Sequence, residues 1–436
     1  MPLLSALVSK SLLRRTSDGR YEMHELLRQY AGARLAEQPD EASVVRGRHS
    51  DFYLALITRL APELRGVNQH QVLLALEAEI ENLRAAWAAA VEDARADAIA
   101  EAAYGLWLFT EITGRNRELQ ALMQRGVDLL AAGSTGDDDV ARQHSLALGR
   151  MLVLFGSVFV RTGENDHGDA LVERGLELVR ALGQPEDVAL GLNFRATFAH
   201  ARLDLSQEEA LLRESLDYSA RAVDRWTVPY SLNDLGRVML TRGDTGEATR
   251  LHRESLDLCR ECGDKRGMAF ALHNLGVVAT QSGEYDQARD LLQEALAIRR
   301  DLRHTWGIAV TLIELGVVER EAGTRDLVVE HLREALHLAS ETHSLPVVLR
   351  VLGELAELLA SDGDGNAAAR LLTDILRHPR TDASVRERAW ELLGQLGAAC
   401  AEAPAAVQPD STDEIDRHVR DILQHGWLSL SQPILT

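Results

Sequence analysis

The chain repeats itself every forty residues. Leu235-Gly236 falls over Leu275-Gly276, Gly243 over Gly283, Ala248 over Ala288, and Leu256 over Leu296. Stepping by forty gives Leu176, Leu216, Leu256, Leu296, Leu336 and Leu376 without a gap. The glycines run Gly163, Gly243, Gly283, Gly323 and Gly363, with Leu203 the one departure. The Leu-Gly pair returns at Leu315-Gly316 and weakens to Leu355-Ala356 downstream and Phe155-Gly156 upstream. Ladders in register over this length require a stacked array of helical hairpins, because a single hairpin cannot bury its own apolar stripe.

Each period reads as a helix, a glycine turn and a second helix. In the second helix the apolar positions fall three or four apart (Tyr285, Ala288, Leu292, Ala295), which places them on one face. Small residues such as Gly276 and Ala288 let two helices approach closely. Gly283 ends the first helix where a left-handed backbone is needed. Nearly all of these residues are therefore packing positions.

This pattern resembles the tetratricopeptide repeat, in a forty-residue form with extended second helices. Leu-Gly in the first helix, Gly in the turn, and Ala288 and Ala295 in the second match that family's positions. The proline that closes the shorter form is replaced by Arg260 and Arg300. The resemblance covers residues 142–398 and implies an all-α fold, a right-handed α-α superhelix.

The formal net charge of −20 argues against a protein that coats nucleic-acid phosphates. Only Lys10 and Lys265 are lysines, so nearly all positive charge is arginine. The best uncharged apolar run, residues 151–160, is bracketed by Arg150 and Arg161 and is too short to span a bilayer. The opening MPLLSALVSKSLLRR carries its arginines after the apolar stretch, the wrong order for a secretory signal. With three cysteines and no disulfide framework, a soluble, cytoplasmic protein without membrane contact is expected.

Residues 1–40 do not follow the period. Residues 3–10 read as a helix end, and residues 11–15 and 20–23 as short strands joined by Ser17-Asp18-Gly19. A helix over residues 24–36 should bury Leu26, Leu27, Tyr30 and Leu35. Helix, hairpin, helix is the back half of a small winged-helix unit. The run through Gly19-Arg20-Tyr21-Glu22-Met23-His24-Glu25-Leu26-Leu27 resembles the winged-helix segment of STAND-type (NB-ARC) signalling ATPases, which include many bacterial transcriptional regulators. Met23-His24-Glu25 falls on that family's Met-His-Asp motif, with Glu for Asp. The resemblance implies that His24 contacts the ADP phosphate when a nucleotide-binding module is present; residue by residue, His24 otherwise only begins a helix.

No phosphate-cradling loop accompanies it. Ser9 precedes Lys10 and Asp264 precedes Lys265, so neither lysine sits in a Gly-Lys-Ser/Thr context. No cofactor is therefore expected in this chain, with ATP or ADP entering only through a separate nucleotide-binding domain. The resemblance implies that the chain is the C-terminal part of such a regulator, with an NB-ARC module upstream as one partner.

Residues 41–140 read as a helical linker and a degenerate first repeat. After a break at residues 39–41, amphipathic stretches cover residues 49–59, 71–91 and 94–112, with Trp87 and Trp107 as core anchors. Residues 79–87 are similar to the linker helix of the same regulators. Residues 131–139 have loop composition. The array occupies residues 141–398. Residues 399–436 hold an Ala/Pro linker and a final helix opened by the capping-box sequence Ser411-Thr412-Asp413-Glu414, which should cover the last repeat with Ile415, Val419, Ile422 and Leu423.

No residue set points to an enzyme. Cys259 and Cys262 have metal-like spacing but no second pair, and a zinc site needs four ligands. The histidines form no HExxH. Function should lie on the concave surface of the first helices, where Asn233, Asp234 and Arg237, then His273, Asn274 and Gln281, then Glu314 and Arg320 flank the Leu-Gly pairs. Asn274 occupies the position from which peptide-binding tetratricopeptide proteins hydrogen-bond a ligand backbone; the lysine and arginine set that grips a carboxylate is incomplete. Expected partners are a protein, a peptide or a small effector, with no direct nucleic-acid binding. The leading expectation is the sensor and interaction arm of a STAND-type regulator, and the alternative a free-standing peptide-capturing adaptor. Alanine at Asn274 and Arg237 is expected to weaken binding without changing melting.

Overall fold

A computed structural model describes residues 2–16, 19–133, 139–397 and 411–425. Among these the architecture is all-α, apart from one antiparallel pair, β1 (Arg14–Arg15) with β2 (Tyr21–Glu22), between α1 (Pro2–Ser9) and α2 (Glu25–Ala36).

The solenoid consists of hairpins α8 (Asp139–Thr162) with α9 (Asn165–Leu182), α10 (Pro185–Ala201) with α11 (Leu205–Ser219), and α12 (Val228–Thr241) with α13 (Thr245–Cys262). It continues through α14 (Lys265–Gln281) with α15 (Tyr285–Asp301), α16 (Thr305–Glu321) with α17 (Arg325–Glu341), and α18 (Leu345–Ser361) with α19 (Gly365–Arg377). The turn glycines adopt the left-handed backbone their ladder implies, with φ from +75° at Gly163 to +87° at Gly363. Leu203 takes the same region at +58° despite its side chain, so the turn geometry overrides the residue's preference. One residue later, Asp204, Asp244 and Asp364 cap the second helices, each accepting a backbone N–H at 3.0 Å. The small positions matter most between α8 and α9, where a Cβ on Gly156 would lie 2.7 Å from the Gly168 carbonyl oxygen. The two backbones touch there.

Helix α8 is long and apolar enough to cross a membrane by length and composition, yet 61% of its apolar window is buried among neighbouring helices. It serves as a core helix. The 131–139 loop lies largely outside the described residues, as does residues 399–410 of the Ala/Pro linker. Beyond α20 (Ala383–Gln395), α21 (Ser411–His425) buries Ile415, Val419 and Ile422 against the end of the array, and His418 meets Asp374 at 2.8 Å.

Three local expectations need correction. Leu26 and Tyr30 on α2 are 69% and 60% exposed, and α2 has no buried residue. That helix packs on α3 (Pro39–Leu60), and no element covers its other side among the described residues. Pro39 does not continue a break but opens α3, where its missing N–H costs nothing. The amphipathic run 71–91 divides into α4 (Gln69–Glu77) and α5 (Ile80–Glu92), with Glu79 at the join paired to Arg20 at 2.5 Å. Trp87 and Trp107 are buried as expected. Their indole N–H groups donate to the Leu122 carbonyl of α7 (Asn116–Ala131) at 2.9 Å and to Ser157 Oγ at 3.0 Å.

The superhelix winds back upon its own beginning. The segment from the 3₁₀ turn Pro62–Arg65 through α4 runs along the row of turns that join successive hairpins. Arg65 meets Asp224 at 3.2 Å, His70 Nδ1 lies 2.8 Å from the Asp301 carbonyl oxygen, and Arg303 meets Glu77 at 3.0 Å. Further along the same edge, Asn165 donates to Asp382 at 3.1 Å. A forty-residue period cannot encode these contacts, because their partners lie outside any one repeat.

Candidate functional site

The first helices α8, α10, α12, α14, α16 and α18 carry the inner wall. Asn233 is buried, its Oδ1 2.9 Å from Nδ1 of the buried His252 on α13. His273 is also buried, whereas Asn274 is half-buried and Gln281, the last residue of α14, is exposed. Arg237 donates to the fully buried Glu208 of α11 at 2.7 Å and lies 3.3 Å from Asp234. The other oxygen of Glu208 is 3.2 Å from His200 Nδ1. Arg320 pairs with Glu354 and, at 3.1 Å, with Glu357. Arg350 pairs with Glu314, and Arg388 with Glu357 at 2.6 Å. The predicted residues thus lie on successive first helices, but Asn233 and His273 are buried and the charged ones are engaged with neighbouring helices. Asn274 and Gln281 keep uncommitted side chains.

Electrostatics follow from this depth. Burial pushes the carboxyl of Asp234 upward against the pull of Arg237. Burial also raises Glu354 despite Arg320 beside it. His252 is pushed down to about 3, first by burial and then by Arg237, and His273 falls well below the usual imidazole range for the same first reason. These imidazoles are neutral.

His24 lies apart from this wall. It caps α2, its Nδ1 accepting the Leu26 N–H at 3.3 Å, and its ring is exposed.

Sequence reasoning missed an aromatic and arginine seam where the N-terminal helices enter the concave side. Tyr104 of α6 (Ala96–Thr113) stacks near Trp226, with centroids 5.5 Å apart, and Trp107 meets Phe194 edge-on at 5.4 Å. The rings continue from Trp226 to Tyr230 (6.0 Å), Phe270 (6.3 Å) and Trp306 (6.1 Å). Arg65 lies 4.5 Å from the Trp226 centroid and Arg161 3.7 Å from that of Trp306. A signal was available: Trp226, Arg266 and Trp306 stand forty apart, as do Tyr230 and Phe270. No metal-ligating cluster occurs among the described residues.

The tetratricopeptide-repeat family model matches residues 227–301. No curated protein sequence matches the chain significantly. Among solved structures, NprR in complex with its cognate peptide NprX is 12% identical, with 74% of this chain and 92% of that one covered and a TM-score of 0.50. A Rap protein complexed with Competence and Sporulation Factor is 14% identical over 78% of this chain and 95% of that one, at 0.48. A STAND protein with a tetratricopeptide repeat sensor from Pyrococcus horikoshii is 13% identical over 91% of this chain but 59% of that one, at 0.44. At such identities a likeness speaks to fold alone. With the period, the helix packing and the family match together, the chain is an all-α tetratricopeptide-repeat solenoid.

Proposed function

We propose that this chain is a non-catalytic sensor and interaction arm of a STAND-type regulator, taking a protein segment, peptide or small effector along its inner wall. The observation that carries the reading is the wall itself. Partly exposed polar groups recur on successive first helices (Asp234, Asn274, Arg320). An extended peptide offers a regular series of backbone donors and acceptors to such a ladder. The N-terminal helix, hairpin and helix, with exposed Leu26 and Tyr30, would meet the nucleotide-binding module, where His24 would reach ADP. Ligand occupancy and nucleotide state would then be linked by a coupling free energy. The rival reading keeps the wall and discards the module, making the chain a free-standing adaptor in the same cytoplasmic setting.

The test begins with selection of binders from a displayed random-peptide library, followed by calorimetric titration of the best peptide. Asn274→Ala should weaken that peptide on the order of tenfold, the loss of one well-placed hydrogen bond, with the melting temperature unchanged. Unaltered affinity would remove this wall from consideration. Arg237→Ala is unsuitable as a binding probe, contrary to the sequence expectation. It strips the cation from Glu208, which has no exposed surface, and should cost about 3 kcal/mol of stability as a broken buried pair. Urea titration of that variant checks this, and an unchanged midpoint would show that His200 alone suffices.

A further inference from the structure

We infer that the seam between the N-terminal helices and the array binds a small phosphate-class oxyanion, gripped by Arg161, Arg266 and Arg299. The case starts with an unusual residue choice. Stepping by forty from Arg299 gives Val179, Ser219, Cys259 and Ala339, all buried packing residues. An arginine at this core position is not needed to fill the repeat, since its small or apolar counterparts do so in the neighbouring hairpins. Arg266 likewise stands between Trp226 and Trp306 on its own ladder.

The geometry sets these cations around one group of rings. Arg266 and Arg299 each lie 5.1 Å from the Phe270 centroid. Phe270, His304 and Trp306 form a triangle of rings with sides of 6.0, 6.0 and 6.1 Å, and Arg161 covers the Trp306 corner. Arg266, Arg299 and His304 are 9%, 1% and 1% exposed. Carboxylates do not match the cations. Glu111 pairs with Arg161, and Asp264, which accepts the Tyr230 hydroxyl at 2.6 Å and the Gly267 N–H at 3.0 Å, attracts Arg266, so Arg299 is the cation left without a carboxylate. Arg299 uses one nitrogen, Nη1, on the Gly307 carbonyl at 2.7 Å and on Thr311 Oγ1. Its Nε and Nη2, the Nε of Arg266 and both ring nitrogens of His304 have no protein partner.

Leaving buried guanidinium donors unpaired is unfavourable, and neighbouring like charges add to that. Burial first, then Arg266 and Arg161, lowers Arg299 to about 9. A tetrahedral oxyanion answers each of these costs. It supplies several acceptor oxygens to planar forks approaching from different sides, and its charge offsets the excess cation. His304, held neutral by burial, can donate one N–H without adding repulsion.

This inference does not depend on peptide capture, so either can fail alone. Thermal melts of the full chain are followed while inorganic phosphate, or glycerol 3-phosphate, is raised at constant ionic strength with sodium chloride. A saturable rise in Tm is expected. A stronger response to the ester identifies a terminal phosphate group as the ligand, and an equal or weaker one identifies the free ion. Arg299→Met, similar in length and uncharged, should melt no lower than the parent in phosphate-free buffer and weaken the apparent phosphate affinity by about tenfold or more. If Arg299→Met fails to fold, Arg266→Gln is read instead by loss of phosphorus-31 line broadening. Tm changes no larger than those given by chloride, or full retention of the phosphate response in the folded variants, overturns the assignment.

Discussion

Trp87→Ala should lower the unfolding free energy by about 4 kcal/mol, the range for truncating a fully buried indole. Trp87 is 1% exposed, and its N–H reaches the Leu122 carbonyl of the next helix but one. The backbone of Gly126 lies against the same ring, so close that a Cβ there would come within 3.1 Å of it. Alanine would leave a cavity bounded by α5, α6 and α7 that none of these packed helices can collapse to fill. Urea titration followed by circular dichroism gives the value. Because residues 62–77 are bonded along the turn edge of the array, the loss should appear as a shift of one shared transition. A separate early transition, with the array melting where it did before, would show that the winding contacts do not couple the two parts.

Acidification from pH 7 to pH 5 should destabilise the fold steeply. His252, His273 and His304 are each under 9% exposed and are held neutral by burial, with lowered pKa values. In the unfolded chain these imidazoles take up protons near pH 6.5. Below that pH the unfolded state binds more protons than the folded one, so stability falls as pH falls. Their contribution is complete above about pH 6.5 and is lost progressively toward the folded values, about 3 for His252. Each such histidine contributes a slope of about 1.4 kcal/mol per pH unit, and three together about 4. Asp234, Asp264, Glu354 and Asp382 act in the opposite sense. Burial raises them, so they favour the folded state as they take up protons above the ordinary carboxyl range, and they blunt the lower end of the fall. Denaturant midpoints at pH 7, 6 and 5.5 measure the slope, and His252→Gln should reduce it by about 1.4 kcal/mol per unit. A flat profile over that interval would mean that these rings protonate in place.

Both results bear on function. The buried imidazoles stand beside the charged wall, and the Trp87 block carries the segment that reaches the seam. A ligand that orders the seam would stabilise both parts together, whereas a peptide bound near Asn274 and Gln281 need not.

The sequence by itself determined the hairpins and their turns. Those features recur because each hairpin meets the same local demands: a left-handed turn residue, a small residue where helices touch, an apolar stripe every three or four positions. Asn274 and Arg320 could be placed on the first helices for the same reason. Only the tertiary structure decided which wall residues are engaged. Arg237 belongs to Glu208 on the preceding hairpin, and Arg320 to Glu354 on the following one. It also decided that Leu26 and Tyr30 face outward, since burying an amphipathic stripe needs a second surface that no described element supplies. At the seam Arg161 approaches Arg266, Arg299 and Trp306, more than a hundred positions further along the chain, because the superhelix closes on its own beginning. Superhelical closure sums small rotations over many repeats, so it emerges only when all of them are packed.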